Sequence, residues 1–306
     1  MLFILVLIAW LTMQYWGGAA MFQRDEYFLS WYQWFDSKYR NNVGDTAASI
    51  VVLILPVFLL ALLLHWFGGW FFGLLGVLIN VAVLLYACGR GDYIARIEAY
   101  RQSLDASDNT QAFSAANQQF DIQHSHLGGL HRQVRELISY QSYERWFPVA
   151  FWFLLLGAPG ALLYRLCHII RDDATAELQW GDVGTDGTED TAVESENIYQ
   201  ENANIIMGFM DWLPARLWAL TYAICGDYNA IIQVLHKRCF ERVSSQQLLL
   251  EVNLASIYGA AESASLGESE QLDSSAVKSQ LDVMQMMGSR AMVLLLGAIA
   301  FITIVI

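Results

Sequence analysis

The sequence predicts an all-α fold: a polytopic membrane helical bundle with about five or six membrane segments and a cytoplasmic helical layer. Three observations carry this. Apolar runs of bilayer length occur at 47–66, 68–87, 148–166, 205–223 and 291–306, and 1–22 is a sixth candidate. A hydrocarbon core of about 30 Å takes roughly 20 apolar residues per helix. If each run crosses once, nearly every Lys and Arg falls on one side, from Arg24, Lys38 and Arg40 through Arg90–Arg145 to Lys237–Arg290. The opposite side keeps Arg171, which is the positive-inside pattern of an integral membrane protein. Finally, the chain has no strand-like alternation and no repeat at a fixed period.

The elements follow in order. Residues 1–22 lack the basic n-region of a signal peptide, which favours an uncleaved first helix, although Gly17-Gly18-Ala19-Ala20 could serve as a cleavage site. Residues 23–46 are polar and carry Tyr27, Trp31, Tyr32, Trp34, Phe35 and Tyr39, which suits either a helix at headgroup level or a folded soluble loop. Asp45 or Thr46 can cap the next helix. The runs 47–66 and 68–87 contain no Lys, Arg, Asp or Glu, and 65–69 is short enough to make them an antiparallel hairpin. Within 88–147, helical periodicity places Ile94, Ile97, Tyr100 and Leu104 on one face, then Leu130, Val134, Leu137, Ile138 and Gln141 on another. Residues 171–204 are acidic and poor in apolar side chains, so a loose periplasmic loop is expected. Residues 226–290 are amphipathic, with Leu248, Leu249, Val252 and Ile257 at helical spacing. The expected organisation is 1–87, 88–147, 148–225, 226–290 and a last membrane helix at 291–306.

Composition excludes several classes. The net charge of −13 and the lack of a basic stripe exclude nucleic acid as a partner. The lysines Lys38, Lys237 and Lys278 follow Ser37, His236 and Val277, so no P-loop exists. Gly89-Arg90-Gly91 is too short for a dinucleotide fingerprint, and no Gly-x-Ser-x-Gly element is present. Cys88, Cys167, Cys225 and Cys239 form no CxxC pair and read as buried hydrophobes. His124, His126 and His131 do not share one helix face, so no metal is expected and a solvated cluster is the better reading.

Two membrane segments differ from the rest. Residues 148–166 are interrupted by Gly157-Ala158-Pro159-Gly160, and 205–223 carry Asp211, Pro214 and Arg216. A charge at the bilayer centre costs about 2.5–3.5 kcal/mol on insertion scales, so it persists where it pairs or lines a polar cavity. The alternative is that Arg165 and Arg216 snorkel to an interface and Pro159 merely kinks a helix. Both segments read either as full crossings or as re-entrant hairpins; in the second case the acidic loop returns to the cytoplasm.

These segments carry a resemblance. Glu144-Arg145-Trp146-Phe147-Pro148, followed by Phe151-Trp152-Phe153-Leu154-Leu155-Leu156-Gly157-Ala158-Pro159-Gly160-Ala161-Leu162-Leu163-Tyr164-Arg165, resembles the central motif of the AmpE and cobinamide-phosphate synthase (CobD/CbiB) superfamily. Asp211-Trp212-Leu213-Pro214-Ala215-Arg216-Leu217 resembles its second signature, which reads Asn-Trp-Ile-Pro-Ala-Arg-Leu in the cobalamin enzymes. Asn202-Ala203-Asn204-Ile205-Ile206-Met207-Gly208, and the lack of Asp-Ser-Met-Val-Gly after Tyr164-Arg165, are similar to the AmpE branch. That branch implies a multi-pass protein of the bacterial inner membrane, linked to β-lactamase induction and muropeptide recycling beside the AmpD amidase.

Three functions follow. A regulator would bind an anionic ligand, a muropeptide or a nucleotide, at Arg145, Tyr164, Arg165, Asn204, Asp211 and Arg216, since Arg forks match carboxylate and phosphate. An amide-forming ligase would join an amine to an activated carboxylate, with Glu144 and Asp211 as catalytic candidates. A structural partner would bind nothing, its charges pairing internally. The cofactor is not readable from the sequence, a homo-oligomer is compatible with all three, and the lipid bilayer is the common partner.

Overall fold

A computed structural model describes residues 2–15, 25–43, 45–67, 73–88, 93–104, 109–120, 127–180, 190–238, 244–259 and 274–305. Regular structure among them is helical throughout, with no strand. In chain order the helices are α1 (Leu2–Tyr15), α2 (Glu26–Val43), α3 (Asp45–Phe67), α4 (Leu74–Ala87), α5 (Tyr93–Ser103), α6 (Asn109–Phe120) and α7 (Leu127–Glu144). They continue as α8 (Phe147–Leu156), α9 (Ala158–Trp180), α10 (Asp190–Cys225), α11 (Tyr228–Arg238), α12 (Ser245–Tyr258) and α13 (Ser274–Val305). The stretch 171–204, expected as a loose loop, is largely helix: α9 runs on to Trp180 and α10 starts at Asp190. Residues 181–189 lie outside the described residues.

The chain divides into two compact units, one from Met1–Gly89 and Pro148–Asp211, the other from Arg90–Phe147 and Trp212–Ile306. The block 148–225 read from the sequence is therefore shared, and the division falls inside α10.

The first unit is organised around α9. Its sequence from Ala158 to Ile170 is apolar on nearly every side, and Ala158, Ala161, Tyr164, Leu166, Cys167 and Ile169 are all buried. A helix apolar all round belongs at the centre of its neighbours. It packs against α3 and α4, while α1 packs on α4 and α2 on α3. The outer face of α3 leaves Ile54, Phe58, Leu59 and Trp66 exposed. Among the described residues, two helices are long and apolar enough to cross a bilayer, Ala47–Phe67 within α3 and Ser275–Phe301 within α13, and α4 is a shorter apolar helix. The other expected segments take different forms: 148–166 is two helices, and 205–223 falls largely in the C-terminal half of a 36-residue helix.

The second unit has a conventional core. Ile97 and Tyr100 from α5, Leu104 just after it, Ala116 and Phe120 from α6, Leu130, Val134 and Ile138 from α7, and Val277 and Leu281 from α13 pack together. The sequence periodicity predicted these faces of α5 and α7, apart from Ile94, which is exposed. α12 starts at its N-cap Ser244, whose side chain accepts from the Gln247 amide at 3.2 Å. It stops before Gly259, whose φ of 83° a side chain would oppose. α13 begins well before residue 291: Val277 and Leu281 belong to this core, and Met284 and Met287 beyond them are buried.

His131 corrects the solvated histidine reading. It is buried, and its Nδ1 lies 2.6 Å from the Tyr100 hydroxyl; His124 and His126 lie outside the described residues. Burial, with the Arg135 guanidinium nearby, pushes the imidazole down from 6.5 to about 4. Unfolded chains bind the proton between those values and the folded one does not, so stability is complete above about pH 6.5 and is lost as pH falls toward 4. Thermal unfolding across that window should show the loss in the wild type and a shallower one in His131→Gln. Equal slopes would refute the assignment.

Candidate functional site

Two sequence features build the first unit's polar site. Gly157 ends α8 with φ 73°, its amide donating to the Phe153 carbonyl at 2.8 Å, and α9 starts at the next residue. The left-handed cap needs glycine, and Pro159 suits a first helical turn because no amide is wanted there. The turn is tight: a Cβ on Gly160 would stand 2.6 Å from the Trp152 carbonyl oxygen and 2.7 Å from the Leu156 Cβ.

The second feature is Pro214, inside α10. A helical proline has no N–H for the carbonyl four residues earlier, here that of Met210. The Trp152 indole Nε1 donates to that carbonyl at 3.1 Å. One signature segment thus satisfies the backbone defect of the other. Trp152→Phe should cost about 1–3 kcal/mol in thermal unfolding by orphaning that carbonyl. With Pro214→Ala, which restores the amide, the same change should cost much less. An equal cost in both backgrounds would show that the indole contributes by packing alone.

Beside this junction, the Tyr164 hydroxyl donates to Asp211 Oδ1 at 2.9 Å, both residues being buried. Ala203, Met207, Met210 and Asp211 form the inner face of α10, at helical spacing. Arg165, next to Tyr164, pairs with a residue the sequence reading did not single out. Its Nη2 donates to Asp25 Oδ2 at 2.8 Å and Oδ1 at 3.0 Å. The Tyr86 hydroxyl also donates to Asp25 Oδ1, at 3.3 Å, and the guanidinium lies 5.6 Å from the Tyr86 ring centre. No motif marks Asp25 or Tyr86: Asp25 stands in the polar run Gln23-Arg24-Asp25-Glu26, and Tyr86 near the end of the apolar run 68–87.

The remaining candidates divide. Asn204 is exposed, whereas Asn202 donates to the Ser49 hydroxyl at 2.9 Å. A Cβ on Gly208 would stand in open space. Glu144, Arg145 and Arg216 fall in the second unit. Glu144 is the buried last residue of α7, and Arg145 lies in the turn that follows. That turn is anchored by Phe147 and Tyr143 against Trp218, with ring centres 5.5 and 6.1 Å away. Arg216 is buried rather than snorkelling, donates to the Trp212 carbonyl at 2.8 Å and lies 4.3 Å from the Trp212 ring centre.

The contacts of Arg165 and Asn202 bear on topology. Ser49 is in the first turn of α3 and Tyr86 in the last turn of α4, the same end of an antiparallel hairpin. Single crossings by 148–166 and 205–223 would carry Arg165 and Asn202 to the opposite end. Instead Arg165, just before the acidic stretch, sits with Tyr86, and Asn202, near the end of that stretch, with Ser49.

Comparison with known proteins gives two curated relatives. The chain is 28% identical over 190 residues to cobalamin biosynthesis protein CobD of Chromobacterium violaceum, covering 59% of this chain and 52% of that protein. It is 28% identical over 190 residues to CobD of Stutzerimonas stutzeri, covering 60% and 54% respectively. The chain therefore spans about half the length of the curated relatives it matches. No family model and no solved structure matches. Both relatives speak for the CobD/CbiB-like side of the resemblance and neither for the AmpE branch: over 59% of its length this chain is similar to CobD, the cobalamin biosynthesis protein.

Proposed function

We propose that this chain is a multi-pass membrane protein with an amide-forming activity related to that of cobinamide-phosphate synthase. The buried Tyr164–Asp211 hydrogen bond, which joins the two signature segments, is the observation that carries this reading, together with the likeness to CobD. In this reading an amine attacks an activated carboxylate, the C–N bond forms as the C–O bond to the leaving group breaks, and Asp211 takes the amine proton. Tyr164 fixes the Asp211 carboxylate, and Arg165 receives the anionic part of the substrate. The exposed apolar faces of α3, α4 and α13 suit acyl chains. The acidic stretch 171–204 lies on the cytoplasmic side, with the Lys- and Arg-rich segments.

Two experiments test this. Expression in a bacterium lacking its own CobD should restore corrinoid-dependent growth from cobalamin precursors. Failure there, combined with altered β-lactamase induction, would favour the regulatory reading, which draws on Asp211 standing where the cobalamin enzymes have Asn and on the missing Asp-Ser-Met-Val-Gly. For topology, alkaline phosphatase fused at Gly187 should be inactive and a fluorescent reporter bright. An active phosphatase would restore the periplasmic loop.

A further inference from the structure

The Arg165 guanidinium is only half used. Its Nη2 holds both oxygens of Asp25, while its buried Nε has no hydrogen-bond partner among the described residues. Nε and Nη2 form the side-on edge of an arginine, the edge that grips two oxygens of one carboxylate or phosphate in parallel. Asp25 therefore fills the anion position without meeting the geometry that Arg165 can offer. Access is also one-sided. The Arg165 side chain is 3% exposed and that of Asp25 is 29% exposed, so Asp25 is the solvent-facing member of the pair. Tyr86 is the second hold on Asp25.

We propose that Asp25 is a built-in competing carboxylate, which an incoming oxyanion displaces to take the Nε/Nη2 edge of Arg165. This rests on the anionic-substrate reading above and adds its regulation: the site is closed at rest by the chain's own acid. The ligand chemistry is a phosphate or carboxylate group able to bridge two parallel donors. Displacement would free Asp25 at the head of α2, whose first turn it starts by accepting from the Leu29 amide at 3.0 Å. A stronger anion is favoured because it would satisfy Nε, which is orphaned in the closed arrangement.

The test is pyrophosphate binding by the full-length protein in nanodiscs, read by calorimetry. Asp25→Asn removes the competing charge and should tighten binding about tenfold or more, as expected if the closed form holds most molecules. Tyr86→Phe, which keeps the acid but loosens it, should tighten binding by a smaller factor; it decides the matter if Asp25→Asn unfolds. Arg165→Gln should abolish binding. Unchanged or weaker binding in folded Asp25→Asn or Tyr86→Phe, with wild-type binding intact and lost in Arg165→Gln, overturns this inference alone. No pyrophosphate binding by any variant overturns both it and the anionic-substrate reading. Phosphatidylcholine and phosphatidylglycerol discs separate the sources: competition by phosphatidylglycerol identifies a lipid headgroup, and equal affinity in both a soluble phosphate compound.

Discussion

Gly160→Val is expected to prevent accumulation of folded protein, and Gly160→Ala to lower stability by about 1–3 kcal/mol. Alanine's Cβ would stand 2.6 Å from the Trp152 carbonyl oxygen and 2.7 Å from the Leu156 Cβ. The first of these is backbone, fixed because the same tryptophan's indole is held by the Met210 carbonyl. Relief therefore requires opening the Gly157 turn, which would carry Tyr164 away from Asp211. The damage should appear as lost thermal stability in detergent and lost function together. Gly208→Ala is the matched control. It lies just before the second signature, inside α10, with nothing within 4 Å of its Cβ. Alanine there should stabilise by about 0.5–1 kcal/mol, because glycine is a poor helix former. If Gly160→Ala melts with the wild type, the two helices do not approach as described.

Much of this arrangement is readable from residue order, and the unreadable part has a definite character. The all-helical class followed from apolar length and period, and the buried faces of α5, α7 and α12 from spacing alone. Pro214 was visible as a backbone defect, and defects need donors; the sequence could name the carbonyl left open but not Trp152 as the group that closes it. Local pattern cannot report pairings between distant segments. Arg165 needs an anion, and Asp211 and Glu144 were nearer in sequence than Asp25, 140 residues away. Hydropathy likewise treats 148–166 as one run, because a left-handed glycine leaves the apolar count unchanged. The single-crossing scheme takes that run as one span, whereas Gly157 divides it into α8 and α9. Asn202 and Asn204 show the same limit at a scale of two residues: on a helix they point about 200° apart, so one meets Ser49 and the other faces outward.

Asp211→Ala is expected to abolish function, and Asp211→Asn to separate the two roles this residue can have. Asparagine still offers Oδ1 to the Tyr164 hydroxyl, so the link between the signature segments survives in both shape and hydrogen bond. What it removes is the charge, and with it the capacity to take a proton. If Asp211 is a proton acceptor, Asp211→Asn should melt close to the wild type yet lose corrinoid-dependent growth. If it is a structural anchor, Asp211→Asn should keep function while Asp211→Ala loses both, since alanine leaves the buried Tyr164 hydroxyl without this acceptor, at about 1–3 kcal/mol. Tyr164→Phe completes a double-mutant cycle with Asp211→Ala. Two residues joined by one buried hydrogen bond should be coupled by about 0.5–3 kcal/mol, so the double variant should be scarcely worse than either single one. Strict additivity in unfolding free energy would mean the 2.9 Å contact contributes nothing to holding the two segments together. The Asn that the cobalamin enzymes carry at this position makes Asp211→Asn informative in a further way. Growth that improves on the wild type would show that Asp211 departs from a charge-free amide-forming site, and would move the proton acceptor elsewhere.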